Sequence, residues 1–209
     1  MRVPCRQTHP STRPQTQESR GFSRRPSRGF TLVELAITLT VLGVMMGISA
    51  PLFTGMINSN RLTGNANELV AAVLIARSEA IRGNVRTSLC QSADGVNCSN
   101  ASPWRGWIVF ADADGDTLAD ADEIVRAGII EAPVLVLASP SITGVNNRII
   151  FRADGLAYSG NILLEGNIRV CLPVTNPVLN IRDVNIAIGG RVAVRPAITN
   201  VTCPAPGNG

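Results

Sequence analysis

The chain has 209 residues and a formal charge of +4, which gives room for one domain and an appendage. Seven arginines against Glu18 give residues 1–29 a charge of +6 and leave −2 for the remainder, so a generally basic nucleic-acid-binding surface is not supported. All 19 basic residues are Arg, and the only histidine, His9, lies in that basic head. Residues 30–209 therefore lack the commonest general bases, imidazole metal ligands and Schiff-base amines.

The basic, Pro- and Ser-rich head stops at Gly29, and an apolar run of 24 residues begins at Phe30 and ends at Phe53. Its one charge is Glu34, and a carboxylate in a bilayer-length segment costs about 2.5 kcal/mol or more, which marks it as functional. A cleavable signal would have an apolar core of about 7–15 residues. This run is longer, and its best cleavage position, Ser49-Ala50, is followed by Pro51. Arg24-Arg25 hints at a twin-arginine signal, but the expected apolar residues just after the pair are missing. A plain signal anchor fits equally well in length and charge, since about 20 residues span the hydrocarbon and the arginines hold the N-terminal side in the cytoplasm. It leaves Gly29 directly before Phe30, and Glu34 five residues into the run, without a reason.

The stretch Arg28-Gly29-Phe30-Thr31-Leu32-Val33-Glu34 resembles the processing site of type IV prepilins. The resemblance implies cleavage between Gly29 and Phe30 by a prepilin peptidase, N-methylation of Phe30, and an assembly role for Glu34 in a filament core. Pro51 matches a proline common in pilin transmembrane helices, where it kinks the helix by removing a hydrogen bond.

Beyond Pro51, Leu62, Ala66, Leu69, Val73, Ala76 and Ala80 recur at steps of four and three, and Gly83-Asn84 is a good C-terminal stop. One long kinked helix is expected from Phe30 to about Arg82, roughly 80 Å at 1.5 Å per residue. Residues 30–53 form its transmembrane half and residues 54–83 its amphipathic periplasmic half.

From Val85 the period changes to two. Strands are expected at Val85–Gln91, Trp104–Ala111, Glu123–Ile129, Val134–Ala138, Arg148–Ala153, Asn167–Leu172, Asn180–Ile188 and Arg191–Arg195. The clearest hairpin closes on Gly189-Gly190, a two-residue turn. The fold class is α+β: a long N-terminal transmembrane, Pro-kinked helix followed by an antiparallel β-sheet or β-sandwich domain over residues 84–209, pilin-like.

Cys5 lies in the head, leaving Cys90, Cys98, Cys171 and Cys203. In an oxidising periplasm the natural pairing is Cys90–Cys98 and Cys171–Cys203. Four free thiols or a zinc site are the alternatives, and zinc is disfavoured by the lack of a C-x-x-C pair and of His after the head.

Asn60-Arg61-Leu62, Ala76-Arg77-Ser78-Glu79-Ala80, Gly106-Trp107-Ile108-Val109-Phe110 and Phe151-Arg152-Ala153-Asp154-Gly155 narrow the resemblance. Together they are similar to the family shared by the minor pseudopilin H of type II secretion and the fimbrial minor pilin T of type IV pili. That resemblance implies a structural subunit rather than an enzyme. Its partners would be other pilin or pseudopilin subunits, the peptidase, the bacterial inner membrane and an assembly platform, with the globular domain in the periplasm. A signal-anchored periplasmic enzyme is a weaker reading, given the missing His and Lys.

Two further features bear on ligands. Asp112, Asp114, Asp116, Asp120 and Glu123 fall at positions 1, 3, 5, 9 and 12 of a calcium loop, but position 6 is Thr117 where that loop requires Gly. A solvated acidic hairpin is the simpler reading, and no other cofactor is expected. Fimbrial minor pilins of the resembled family are implicated in DNA uptake through a C-terminal glycine–arginine motif. Here Gly190 and Arg191 are kept, Ala193 stands where a second Arg is expected, and Arg195 is on the same strand face. Two or three arginines hold DNA only weakly, and the net charge of −2 over residues 30–209 favours a solvated strand face over DNA binding.

Overall fold

In the computed structural model, residues 29–198 and 201–209 are described, without the side chains of residues 48–52. Expectations that rest on residues 1–28 lie outside the described residues. The chain divides into two units, Met1–Val44 and Met45–Gly209.

In the first unit the helix α1 (Leu32–Gly83) begins. The Thr31 hydroxyl accepts the Glu34 N–H at 3.2 Å, and the Thr31 carbonyl accepts the Leu35 N–H. Thr31 is thus an N-cap that satisfies a backbone donor without an intrahelical partner. The apolar side chains of Leu32, Val33, Leu35, Ile37 and Leu39 are all exposed. Among the described residues no helix is long and apolar enough to cross a membrane. The segment expected to span, residues 30–53, includes residues 48–52, whose side chains are not described. α1 runs through Pro51, but the expected kink at Pro51 rests on a side chain outside the described residues.

In the second unit α1 lays the expected stripe into the core: Leu62, Ala66, Leu69, Val73, Ala76 and Ala80 are at most 1 % exposed, and Ala72 joins them. The alanines let strands approach closely, while each fully buried Leu contributes about 1.5–3 kcal/mol. Among the described residues ten strands follow: β1 (Arg86–Gln91), β2 (Gly106–Asp112), β3 (Ile124–Ile129), β4 (Leu135–Ala138), β5 (Arg148–Phe151), β6 (Ala157–Ser159), β7 (Ile162–Leu163), β8 (Gly166–Cys171), β9 (Ile181–Ala187) and β10 (Arg191–Ala197). A four-residue helix, α2 (Pro140–Thr143), lies between β4 and β5.

The strands form a six-stranded sheet in the order β3-β2-β1-β5-β6-β7 and a four-stranded sheet in the order β10-β9-β8-β4. All pairings are antiparallel. The main core joins the α1 stripe to Leu89, Trp107, Val109, Ile149 and Phe151 of one sheet and to Val136, Ile168, Val170, Val184 and Ile186 of the other. On the opposite face of β1 and β2, Cys90, Ile108 and Phe110 form a smaller cluster closed by Cys98, Ala119 and Ile124.

All eight expected strands exist, with three differences. β6 and β7 are three and two residues long, too short for a period of two to be visible. β5 stops at Phe151 rather than Ala153, because the Gly155 N–H turns back onto the Arg152 carbonyl. The β9–β10 hairpin closes on Ala187↔Arg191, which corrects the expected two-residue turn. Its loop is Ile188-Gly189-Gly190, with φ of 94° and 72° at the glycines and the Gly190 N–H on the Ala187 carbonyl. That is the three-residue hairpin built from a turn and a left-handed residue.

Candidate functional site

The N-terminal candidates lie together by sequence and are all exposed: Gly29, Phe30 and Glu34. Glu34 occupies the first turn of α1, where the helix dipole favours a carboxylate. With Thr31 three residues before it, Glu34 also has the spacing of a capping box. The Thr31 cap was missed in the sequence, although Thr31-x-x-Glu34 is its ordinary signal.

The disulfides are Cys90–Cys98 and Cys171–Cys203. The first closes the loop after β1, where Asp94 is the hub. Its carboxylate accepts the Asn97 side-chain amide and the Asn97 and Val96 N–H groups at 2.8–2.9 Å, and the Ser92 hydroxyl at 3.0 Å. These donors, Asn97 first, hold the Asp94 carboxyl well below the usual carboxylate range. A lowered carboxyl pKa contributes stability above the unfolded value of about 3.9 that is lost as pH falls through the folded value. Thermal melts of Asp94→Asn should therefore lose less between pH 5 and pH 2 than those of the parent chain. Equal losses would remove Asp94 from the acid transition.

The second disulfide anchors the C-terminal residues across the outer face of the four-stranded sheet. Arg169 donates to the Pro204 carbonyl, Asn167 to the Gly207 carbonyl, and the Ser141 N–H to Asn208 Oδ1. Beneath them Arg169 makes a two-pronged pair with Asp183, 2.7 Å on each arm, and that partner raises the Arg169 pKa.

In the acidic loop after β2, the carboxylate oxygens of Asp112, Asp114 and Asp116 lie within 4.8 Å of one another. Asp112 is buried and accepts the Thr117 N–H at 3.2 Å; Asp114 accepts the Asp116 N–H at 3.1 Å; Asp116 accepts the Leu118 N–H at 2.7 Å. Glu123 Oε1 accepts the Ala113 N–H at 2.6 Å, and its other oxygen is buried without a partner. Three convergent carboxylates suit a hard cation, although six to eight oxygens complete a calcium shell. Asp120 and Glu123 lie outside the cluster.

Thr117 stands at φ 71°, the left-handed region where a β-branched residue is strained by roughly 1–2 kcal/mol. Thr117→Gly should therefore raise stability by about 1 kcal/mol, read as a higher melting temperature; a drop would mean the threonine methyl and hydroxyl carry more than the strain. Arg148 steadies the same loop: it donates to the Thr117 carbonyl at 2.6 Å and sits 5.4 Å from the Phe110 ring centroid. Burial lowers its pKa, opposed by the charge of Asp112.

Arg191 and Arg195 are both exposed on β10. Arg195 stands directly opposite Asp183, so the positive face is interrupted by a carboxylate. The Gly190 carbonyl accepts from Arg77 of α1 at 3.0 Å, and a Cβ at Gly190 would meet the Gly155 carbonyl at 3.0 Å. The glycine of the glycine–arginine pair thus has a packing reason to be glycine.

Comparison with known proteins adds family information. The family description "Type II transport protein GspH" matches residues 65–190, and the prokaryotic N-terminal methylation motif matches residues 24–50. The pilin-like protein PilA1 of Thermus thermophilus is 34 % identical over 96 residues, 46 % of this chain and 55 % of that protein. The matched stretch thus spans about half the length of that curated relative. Among solved structures, the type IV minor pilin FimU of Pseudomonas aeruginosa aligns with a TM-score of 0.46 and 20 % identity over 65 % of this chain and 93 % of that one. The minor pseudopilin EpsH of Vibrio cholerae aligns with a TM-score of 0.44 and 10 % identity over 66 % of this chain and 97 % of that one.

Proposed function

Because the chain belongs to the type II transport protein GspH family, we propose that it is a minor pseudopilin or minor pilin, a structural subunit of a type II secretion pseudopilus or a type IV pilus. The observation that carries this reading is the pairing, in one chain, of the N-terminal methylation motif over residues 24–50 with the GspH match over residues 65–190. A prepilin peptidase cuts between Gly29 and Phe30, and Phe30 becomes the methylated N-terminus. Residues 30–53 sit in the inner membrane with the β domain in the periplasm, and other pilin subunits and the assembly platform are the partners. Catalysis is not part of this role.

Glu34 neutralises the terminal ammonium of a neighbouring subunit, so that neither charge is desolvated alone. Intact mass and N-terminal sequencing of protein from its native host test the reading. The expected product starts at N-methyl-Phe30, and a product starting at Met1 overturns it.

Calcium in the Asp112, Asp114 and Asp116 loop is a separate proposal, supported by the convergence of their carboxylate oxygens. Titration calorimetry of the full chain with calcium chloride should give heat at millimolar concentration, and none would end it. DNA capture by Arg191 and Arg195 is not favoured, since Asp183 faces Arg195.

A further inference from the structure

Four strands border the two sheets: β3, β7, β10 and β4. An open border strand offers unpaired backbone donors and acceptors, and folded proteins usually blunt it with prolines, charges, bulges or shortness. β7 is two residues long. β10 carries Pro196, Arg191 and Arg195. β4 is partly covered by Trp104, whose backbone N–H donates to the Val136 carbonyl.

β3, Ile-Val-Arg-Ala-Gly-Ile, has neither proline nor a cover among the described residues. Its bulge lies at the Val125 end, and four residues remain in regular register, from Arg126↔Val109 to Ile129↔Gly106. Val125 is 41 % and Ile129 78 % exposed.

The ladder fixes which groups are free. The Ile130 N–H donates to the Arg105 carbonyl, which continues the register of β3 on β2. Hydrogen-bonded pairs alternate along an antiparallel ladder. Gly128 and Arg126 therefore turn their backbone groups toward β2, and Ala127 and Ile129 turn theirs to the open side. Ala127 and Ile129 border a concavity of about 440 Å³ that also involves Ser92, Asp94, Arg105 and Gly106. Free backbone groups beside a side-chain recess are what a protein needs to take an extended segment as an added strand.

We propose that β3 is an interaction surface that pairs edge-to-edge with an extended strand of a different filament subunit. This rests on the filament reading above: subunits in an open helical array meet through heterologous contacts, whereas a two-fold pairing of β3 with itself closes a dimer. Arg126 and Arg105 are exposed and make no ion pair among the described residues. The matching strand therefore alternates apolar and acidic residues, with a carboxylate opposite Arg126 and an apolar side chain beside Ala127.

The test uses full-length processed protein, free in detergent and co-sedimented with filaments. Amide exchange of the 124–129 segment should slow at least 100-fold on incorporation. Ala127→Pro removes an N–H that the β2–β3 ladder does not use, and Ile129→Lys places a charge on the edge. Each should lower incorporation at least ten-fold with melting temperature and disulfides unchanged. Incorporation of both variants at the parent level, or unchanged exchange of 124–129 in filaments, overturns the proposal. A detergent-solubilised dimer that Ala127→Pro abolishes reassigns the edge to a second copy and also overturns it. Failure of the parent chain itself to co-sediment overturns the filament reading, and this partner with it.

Discussion

Glu34→Gln should leave removal of residues 1–29 intact and lower incorporation into filaments about 100-fold or more. Breaking a desolvated ion pair by removing one partner costs roughly 3–5 kcal/mol, and about 1.36 kcal/mol is a factor of ten. Glutamine is the informative replacement because a charge-pairing role has to be separated from a side-chain role at the helix start. The Glu34 N–H is capped by the Thr31 hydroxyl, and a capping box accepts Glu or Gln at this position. Glutamine keeps the length and hydrogen-bonding capacity of the side chain and removes only the charge, whereas alanine removes both. If Glu34→Gln assembles like the parent while Glu34→Ala does not, the residue is a helix cap and the charge-pairing account fails. Counting the variant in sedimented filaments against total membrane-bound protein decides the matter.

Gly106→Ala should destabilise the β domain by about 3 kcal/mol or more, the upper range for overpacking a well-filled site. A Cβ at 106 would lie 2.6 Å from the Gly128 carbonyl oxygen and 2.9 Å from the Ser92 carbonyl oxygen. Both obstacles are backbone. The Ser92 N–H is itself bonded to the Gly106 carbonyl, so the strands cannot part without losing ladder bonds. Gly128 is similarly constrained, since a Cβ there would meet the Trp107 ring at 2.4 Å. For a chain of this size the loss corresponds to a fall in melting temperature of about 6–12 °C. A fall under 2 °C would mean that β2 and β3 shift apart at little cost.

The sequence was most legible where one local pattern decides the outcome. The stripe from Leu62 to Ala80 is buried because a helix brings steps of three and four onto one face. Cys90 and Cys98 are joined at a sequence separation of eight, too short to leave much choice of partner. The eight longer strands announced themselves by alternation and flanking turns. The oxygens of Asp112, Asp114 and Asp116 converge, but the positive φ of Thr117 could not be read from a residue type that ordinarily avoids it.

Where distant segments meet, the sequence was silent. β6 and β7 are too short to show a period, and exist because β5 supplies a ladder for β6 to join. The register of the Gly189-Gly190 hairpin was displaced by one residue because a loop of two or three residues satisfies the same glycines, and the strand pairing chooses between them. Asp183 reads as an ordinary surface acid until β8 and β10 place Arg169 and Arg195 on either side of it. The sequence by itself determined the family and the helical stripe from Leu62 to Ala80, because those signals lie in short local stretches of the chain. Only the tertiary structure decided which sheet edge stays open and which glycines admit no side chain, because both depend on what a strand has, or lacks, across from it.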